Sequence, residues 1–406
     1  MPEFNPLTSA FRDDPYPTLA ELRAEAPVGE IAGFGVYYLC RHADVAAALK
    51  QPRLFSSAGM KALSDGQTGL MGSQDEADHQ SLDAESLLTL DPPDHDRLRD
   101  VVNRGFTPRR VSDLEPRIRA IAETLVDEIV ARGGQMDLMA DLAVPLPVQV
   151  IAGLLGVDPA RGADFKRWAD TSVQASTGTG GIDDPEAVRT AQRELREYLT
   201  AIVAERRAHP QDDLISTIIE GGEAGDGLSD PQAIAFSMLL LLAGIETTTN
   251  LLGNAMRALL AHPDQLREVV AEPARIPAAL EETLRWDGPV QGVFRTPSED
   301  VEVAGTTIPK GRFVLLHTGS ANRDEAAFPK ADRFDIHRNT SGHLGFGYGV
   351  HFCLGASLAR LEARVTLETL LSRCQDLELA ATSVEVIDSM LVRGPRSLPL
   401  SFRPVA

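Results

Sequence analysis

The stretch from Gly345 to Gly355, GFGYGVHFCLG, sets glycines at 345, 347 and 349 ahead of Cys353, where a helical pattern begins. Glycines at alternate positions let a backbone approach another group closely. A cysteine opening a helix meets backbone N–H groups and the positive end of the helix dipole, and both favour the thiolate. Such a sulfur suits an axial ligand to iron. Two other readings fail on spacing. A dinucleotide loop needs a third glycine at 350, where valine stands, and a strong strand before it. A zinc site would have His343 and His351 beside Cys353, with no Cys-x-x-Cys pair to complete it.

Three further groups of residues carry chemistry. An apolar helical run from Phe236 reaches Ala243-Gly244-Ile245-Glu246-Thr247-Thr248-Thr249. Glycine costs about 1 kcal/mol against alanine inside a helix, and a threonine hydroxyl bonding back four residues tends to bend one. A bent, hydroxyl-lined point could admit oxygen and water; a core helix with a satisfied polar patch fits equally well. Glu282 and Arg285 stand three apart, where helical side chains pair, and Arg333 follows in Pro329-x-x-x-Arg333-Phe334. Alone, that is also an ordinary surface pair. Finally, Asp91 to Arg99 starts a helix with His95 and Arg99 on one face.

Together these stretches resemble the cytochrome P-450 family, from Asp13-Asp14-Pro15-Tyr16-Pro17 to the C-terminus. Phe346-Gly347-x-Gly349-x-His351-x-Cys353-x-Gly355 matches its haem-binding signature, and Ala243-Gly244-x-Glu246-Thr247 looks like its oxygen-activation motif, with Glu where many relatives have Asp. The resemblance implies that Cys353 ligates haem iron, with Thr247 at the dioxygen site and Glu246 in proton delivery. His95, Arg99, Arg295 and His351 are implied as propionate contacts, and Phe346, Gly347, Gly355, Ala243 and Gly244 as further haem contacts. Glu282, Arg285 and Arg333 are implied as the structural triad. Leu239, Leu242, Val290, Val293, Phe294, Met390 and Leu391 are implied over the haem, so a hydrophobic ligand is expected: a terpenoid, steroid or macrocyclic natural product. No Cys-x-x-Cys-His is present, which implies haem b rather than thioether-bound haem.

Dioxygen is then the oxidant, one oxygen atom enters the substrate, and a separate ferredoxin or flavodoxin with its NAD(P)H reductase supplies electrons. Arg104, Arg109, Arg110, Arg360 and Arg364 are candidates for docking that acidic carrier. A haem-thiolate peroxygenase, isomerase or dehydratase needs no redox partner and no acid–threonine pair, so Glu246-Thr247 argues against it. A haem-based gas sensor would be expected to carry a signalling or DNA-binding segment, and none is visible.

These motifs need a mostly helical scaffold. Apolar residues recur at helical spacing over Ser112–Arg132, Val144–Gly156, Pro185–His209, Asp230–Ala261, Ile276–Trp286 and Leu354–Ser372. Short strands are expected at Val36–Cys40, Val301–Val303 and Phe313–His317. The expected fold is therefore mainly α with small β-sheets, the haem lying between the long central helix and the cysteine loop. Residues 56–90 and 172–184 resist a regular reading and suggest covers over a site. With 406 residues, 43% of them hydrophobic, one haem-thiolate domain over 1–406 is expected. Three cysteines fit a reducing compartment, and the polar N-terminus lacks a signal pattern. A cytoplasmic monomer is expected. Phe236–Ile245 is about half the ~20 apolar residues of a membrane span, and a net charge of −20 disfavours nucleic acid.

Overall fold

Helices make the body, and their ends follow local chemistry. The computed structural model describes residues 4–31, 33–60, 86–177, 184–222 and 226–405. The central helix, Asp230–Ala261, starts in a capping box between Ser229 and Gln232, with proline in its first turn, where the missing N–H costs nothing. It packs against Pro145–Leu154, Pro185–Ala208, Ile276–Trp286 and Ala356–Arg373. Leu251, Leu252, Met256 and Leu259 are buried there, each worth about 2 kcal/mol in apolar area removed from water. By length and composition this helix could also cross a membrane, which widens the short apolar run seen in sequence. Its apolar side is occupied by these neighbours in the main core.

The sheets are small. A five-stranded sheet orders Val28–Ile31, Val36–Leu39, Val314–Leu316, Val293–Pro297 and Phe55–Ser56, the inner pair Val36–Leu39 and Val314–Leu316 being parallel. Gln135–Asp137, Pro399–Pro404 and Cys374–Leu379 form a three-stranded sheet, and Val301–Val303 pairs with Thr306–Ile308.

Expected and observed elements agree within a few residues for the central helix, for Ile276–Trp286 and for Pro185–Ala208. The helix expected from Ser112 splits into Pro108–Asp113 and Glu115–Arg132, with Pro116 in the first turn of the second piece. Helix Gly162–Thr177 takes in the start of the second irregular stretch. Residues 61–85 and 178–183, the remainder of the two suggested covers, lie outside the described residues. The strand Val293–Pro297 was not legible, because arginine and a terminal proline hide its propensity. Pairing with the buried Val314–Leu316 overrides that.

Candidate active site

The cysteine loop is shaped by its glycines. Gly347 and Gly349 hold φ of 71° and 75°, which side chains rarely adopt. A Cβ at Gly349 would meet the Leu49 carbonyl at 2.5 Å, and one at Gly345 the Leu284 carbonyl at 2.8 Å. The turn closes where the Cys353 amide donates to the Phe346 carbonyl at 2.9 Å. Burial pushes the Cys353 thiol up, while the Gly355 amide and the guanidinium groups of Arg99 and Arg360 pull it down. The residue nonetheless keeps exposed surface.

Four basic side chains converge beside that loop. His95, 1% exposed in the first turn of Asp94–Asn103, lies against His351 with the ring centroids 4.3 Å apart and the planes tilted by 57°. Its Nδ1 lies 3.0 Å from Asp96, and its buried Nε2 has no hydrogen-bond partner among the described residues. Arg99, one turn on, donates to the Phe352 carbonyl at 2.7 Å and so ties its helix to the residue before Cys353. Arg295 is buried in the strand Val293–Pro297 and is pushed down to about 10, chiefly by burial. His351 is pushed down to about 3 by burial and then by the positive charge of Arg295, His95 and Arg99. Basic and hydrogen-bonding side chains brought together in this way can hold an anion. Ser57, fully buried, holds His351 Nε2 at 3.0 Å, and its own amide donates to Asp91 at 2.8 Å. Nothing in the sequence singled out Ser57.

Across the core, Thr247 makes the expected back-bond, its hydroxyl donating to the Ala243 carbonyl at 2.7 Å. The helix stays continuous through the motif. Ala243 is exposed and Thr247 half-buried, one turn apart on the same face, while Glu246 is buried. A Cβ at Gly244 would stand 2.6 Å from Ile151, so the glycine also allows the close approach of the helix Pro145–Leu154. Thr249 donates to the Ala143 carbonyl at 2.9 Å and faces elsewhere.

The apolar residues divide. Leu239 and Leu242 are half-buried on the central helix, three residues apart. Val290 and Val392 form an isolated bridge, and the Gln291 amide donates to the Leu391 carbonyl at 2.7 Å, which brings Val290 beside Met390 and Leu391. Val293 is half-buried and shares a strand face with Arg295, as period-two alternation requires. Phe294, expected with them, turns to the other face. It is 1% exposed in a core of Phe4, Leu19, Tyr38 and Leu315, its ring beside Phe313. That corrects Phe294 from an open wall residue to a core residue.

The ion network also needs one correction. Arg285 and Glu282 are both 0% exposed and share two bonds of 2.7 Å. Arg285 further donates to the carbonyls of Asn322, Ala331 and Arg333. The third side chain is Arg338, 3.2 Å from Glu282. Arg333 contributes its carbonyl, and its side chain is exposed.

The family model for cytochrome P450 matches residues 184–402, more than half of the chain. The chain belongs to the cytochrome P450 family. It is 41% identical to a vitamin D(3) 25-hydroxylase of Pseudonocardia autotrophica, over 98% of this chain and 96% of that one. It is 40% identical to the cytochrome P450 monooxygenase PikC of Streptomyces venezuelae, over 98% and 93%. The solved structure of CYP109Q5 from Chondromyces apiculatus matches with a TM-score of 0.90 and 39% identity, covering 99% of this chain and 98% of that one. This cytochrome P450 is thus a monooxygenase with the α-rich fold of the family and a haem iron cofactor. Its residues fit that group: the buried His95 Nε2 without a partner among the described residues, the neighbouring Arg99, Arg295 and His351, the exposed residue Cys353, and open space where a Cβ at Gly355 would stand. A cavity of ≈ 1350 Å³ lined by Tyr16, Arg257 and Trp286 lies elsewhere and includes none of these residues.

Proposed function

We propose that this cytochrome P450 hydroxylates or epoxidises a hydrophobic small molecule of terpenoid, steroid or macrocyclic type, with haem b ligated by Cys353. The observation that carries the reading is the exposed Cys353 in its glycine loop beside the cluster of His95, Arg99, Arg295 and His351. A thiolate-bound haem supplies dioxygen activation, the thiolate pushing electron density that favours O–O cleavage. The four basic groups hold the two propionates, and Phe346, Gly347, Gly355, Ala243 and Gly244 form the rest of the cradle. Thr247 holds water and passes a proton, and Glu246, one residue before it, supplies that proton from the buried side. Leu239, Leu242, Val290, Val293, Met390 and Leu391 exclude water and orient an apolar ligand. The vitamin D(3) hydroxylase among the relatives supports such a ligand.

Electrons come from a separate ferredoxin or flavodoxin and its NAD(P)H reductase. Four of the arginines first considered for docking it are held within the chain. Arg104 is bidentate to Asp226, Arg110 donates to Thr217, Arg360 is bidentate to Glu281, and Arg364 pairs with Glu115 and Glu368. Arg109, 93% exposed and 4.0 Å from Asp113, is the most available of the five.

The ferrous carbon monoxide spectrum tests the ligand. Cys353→Ser and Cys353→His lose the red-shifted Soret band, while Cys40→Ala and Cys374→Ala, at buried thiols, keep it. Retention of that band in either Cys353 variant overturns the assignment. A screen of hydrophobic compounds for displacement of the iron-bound water then narrows the substrate.

A further inference from the structure

Arg360 is not an idle surface cation. It stands two turns beyond Cys353 in the helix Ala356–Arg373, with its guanidinium 4.3 Å from the centroid of the Phe346 ring. Glu281 holds it there through two bonds of 2.6 and 2.9 Å, a fork-to-carboxylate geometry that fixes the guanidinium plane. His343 reaches the same carboxylate at 3.0 Å, and its other ring nitrogen lies 3.1 Å from the Gly345 amide, so it acts there as acceptor. Phe346 in turn receives the Cys353 amide. One carboxylate on the helix Ile276–Trp286 thus secures both ends of the run Gly345-Phe346 and the cation over it. Arg360 is within electrostatic reach of the Cys353 sulfur.

We propose that Glu281 is a positioning residue of the thiolate loop, holding Arg360 over Phe346 and cancelling its charge beside Cys353. The proposal rests on Cys353 being the haem ligand. Charge and hydrogen bonding near the axial sulfur are levers on a haem's reduction equilibrium, and the Glu281–Arg360 pair acts on both. With the pair intact the loop meets a nearly neutral neighbour. With Glu281 neutralised, the cation is uncompensated and favours the ferrous state, which carries one more negative charge.

The test is a redox titration of haem-loaded protein, read with the ferrous carbon monoxide spectrum. Glu281→Gln is expected to shift the one-electron equilibrium toward ferrous by about tenfold, or about 59 mV, the scale of one uncompensated charge near a partly buried ion. Arg360→Gln is expected to shift it the other way, and the double variant to return within about twofold of the parent. A loop merely loosened would move every variant in one direction, so same-sign shifts, or single-variant shifts under about twofold, overturn the proposal. If Glu281→Gln fails to take up haem, Arg360→Gln and the charge-keeping Arg360→Lys decide it: the first moves toward ferric and the second stays near the parent, and any other pattern overturns it. Absence of the thiolate-type band in the parent itself would instead refute the ligand assignment.

Discussion

Removing the Arg338 side chain should destabilise this protein far more than removing that of Arg333. Arg338 approaches the fully buried Glu282 at 3.2 Å and also donates to the carbonyls of Pro329, Lys330 and Arg333. Arg338→Ala leaves Glu282 with two bonds from Arg285 and one from the Asp335 amide, so the carboxylate is not abandoned. The loss is one hydrogen bond to a charged buried group, about 2 kcal/mol, because the freed carbonyls lie near solvent. That is roughly a thirtyfold change in the folded-to-unfolded ratio. Arg333→Ala keeps the carbonyl that Arg285 uses and removes an exposed side chain, so it should cost less than about 0.5 kcal/mol. Arg285→Ala removes two of the bonds to the buried Glu282 and the donor to the buried carbonyls of Asn322 and Ala331, and should cost about 3–5 kcal/mol or prevent haem loading. Urea unfolding followed by circular dichroism, with haem content measured alongside, ranks the three. Arg333→Ala costing as much as Arg338→Ala, or Arg338→Ala matching the parent, refutes this account of the network.

Thr247→Ala should bind haem and substrate almost normally, consume NAD(P)H at a comparable rate and release much of the oxygen as hydrogen peroxide. Thr249→Ala, which gives up a bond to the Ala143 carbonyl, should lose about 1 kcal/mol of stability and stay coupled; equal coupling in the two variants would defeat the Thr247 role. Glu362 is 2% exposed, its Oε2 has no hydrogen-bond partner among the described residues, and burial pushes it up to about 8 from 4.5. Its folded value is the raised one, so its contribution is intact below about pH 4.5 and is lost as pH rises toward about 8. Glu362→Gln should remove that fall, about 1.4 kcal/mol per pH unit of the window, and make the protein more stable than the parent at pH 8. An unchanged slope of stability against pH would show that Glu362 does not titrate in this way.

Much of the site was readable because it is encoded by neighbours in the chain. Glycines at 347 and 349 announce a backbone with positive φ, and a cysteine opening a helix announces its own electrostatics. Helical spacing set His95 beside Arg99 and Ala243 beside Thr247, and the observed faces agree. Helical periodicity likewise delimited the central helix, whose capping box lies within four consecutive residues. What escaped the sequence depended on packing between distant segments. Arginines 333 and 338 are equally plausible partners for Glu282 until the chain folds, when the guanidinium of Arg338 and the carbonyl of Arg333 reach the buried pair. Phe294 looks like a pocket wall until pairing with Val314–Leu316 fixes which strand face points inward. Gly244 acquires a packing reason from Ile151, and Arg360 its partner from Glu281, 79 positions away. A long flexible cation has many carboxylates within reach in sequence terms. Only tertiary structure decides which of them shares its partly buried surroundings, where a partner is worth more than it is in water.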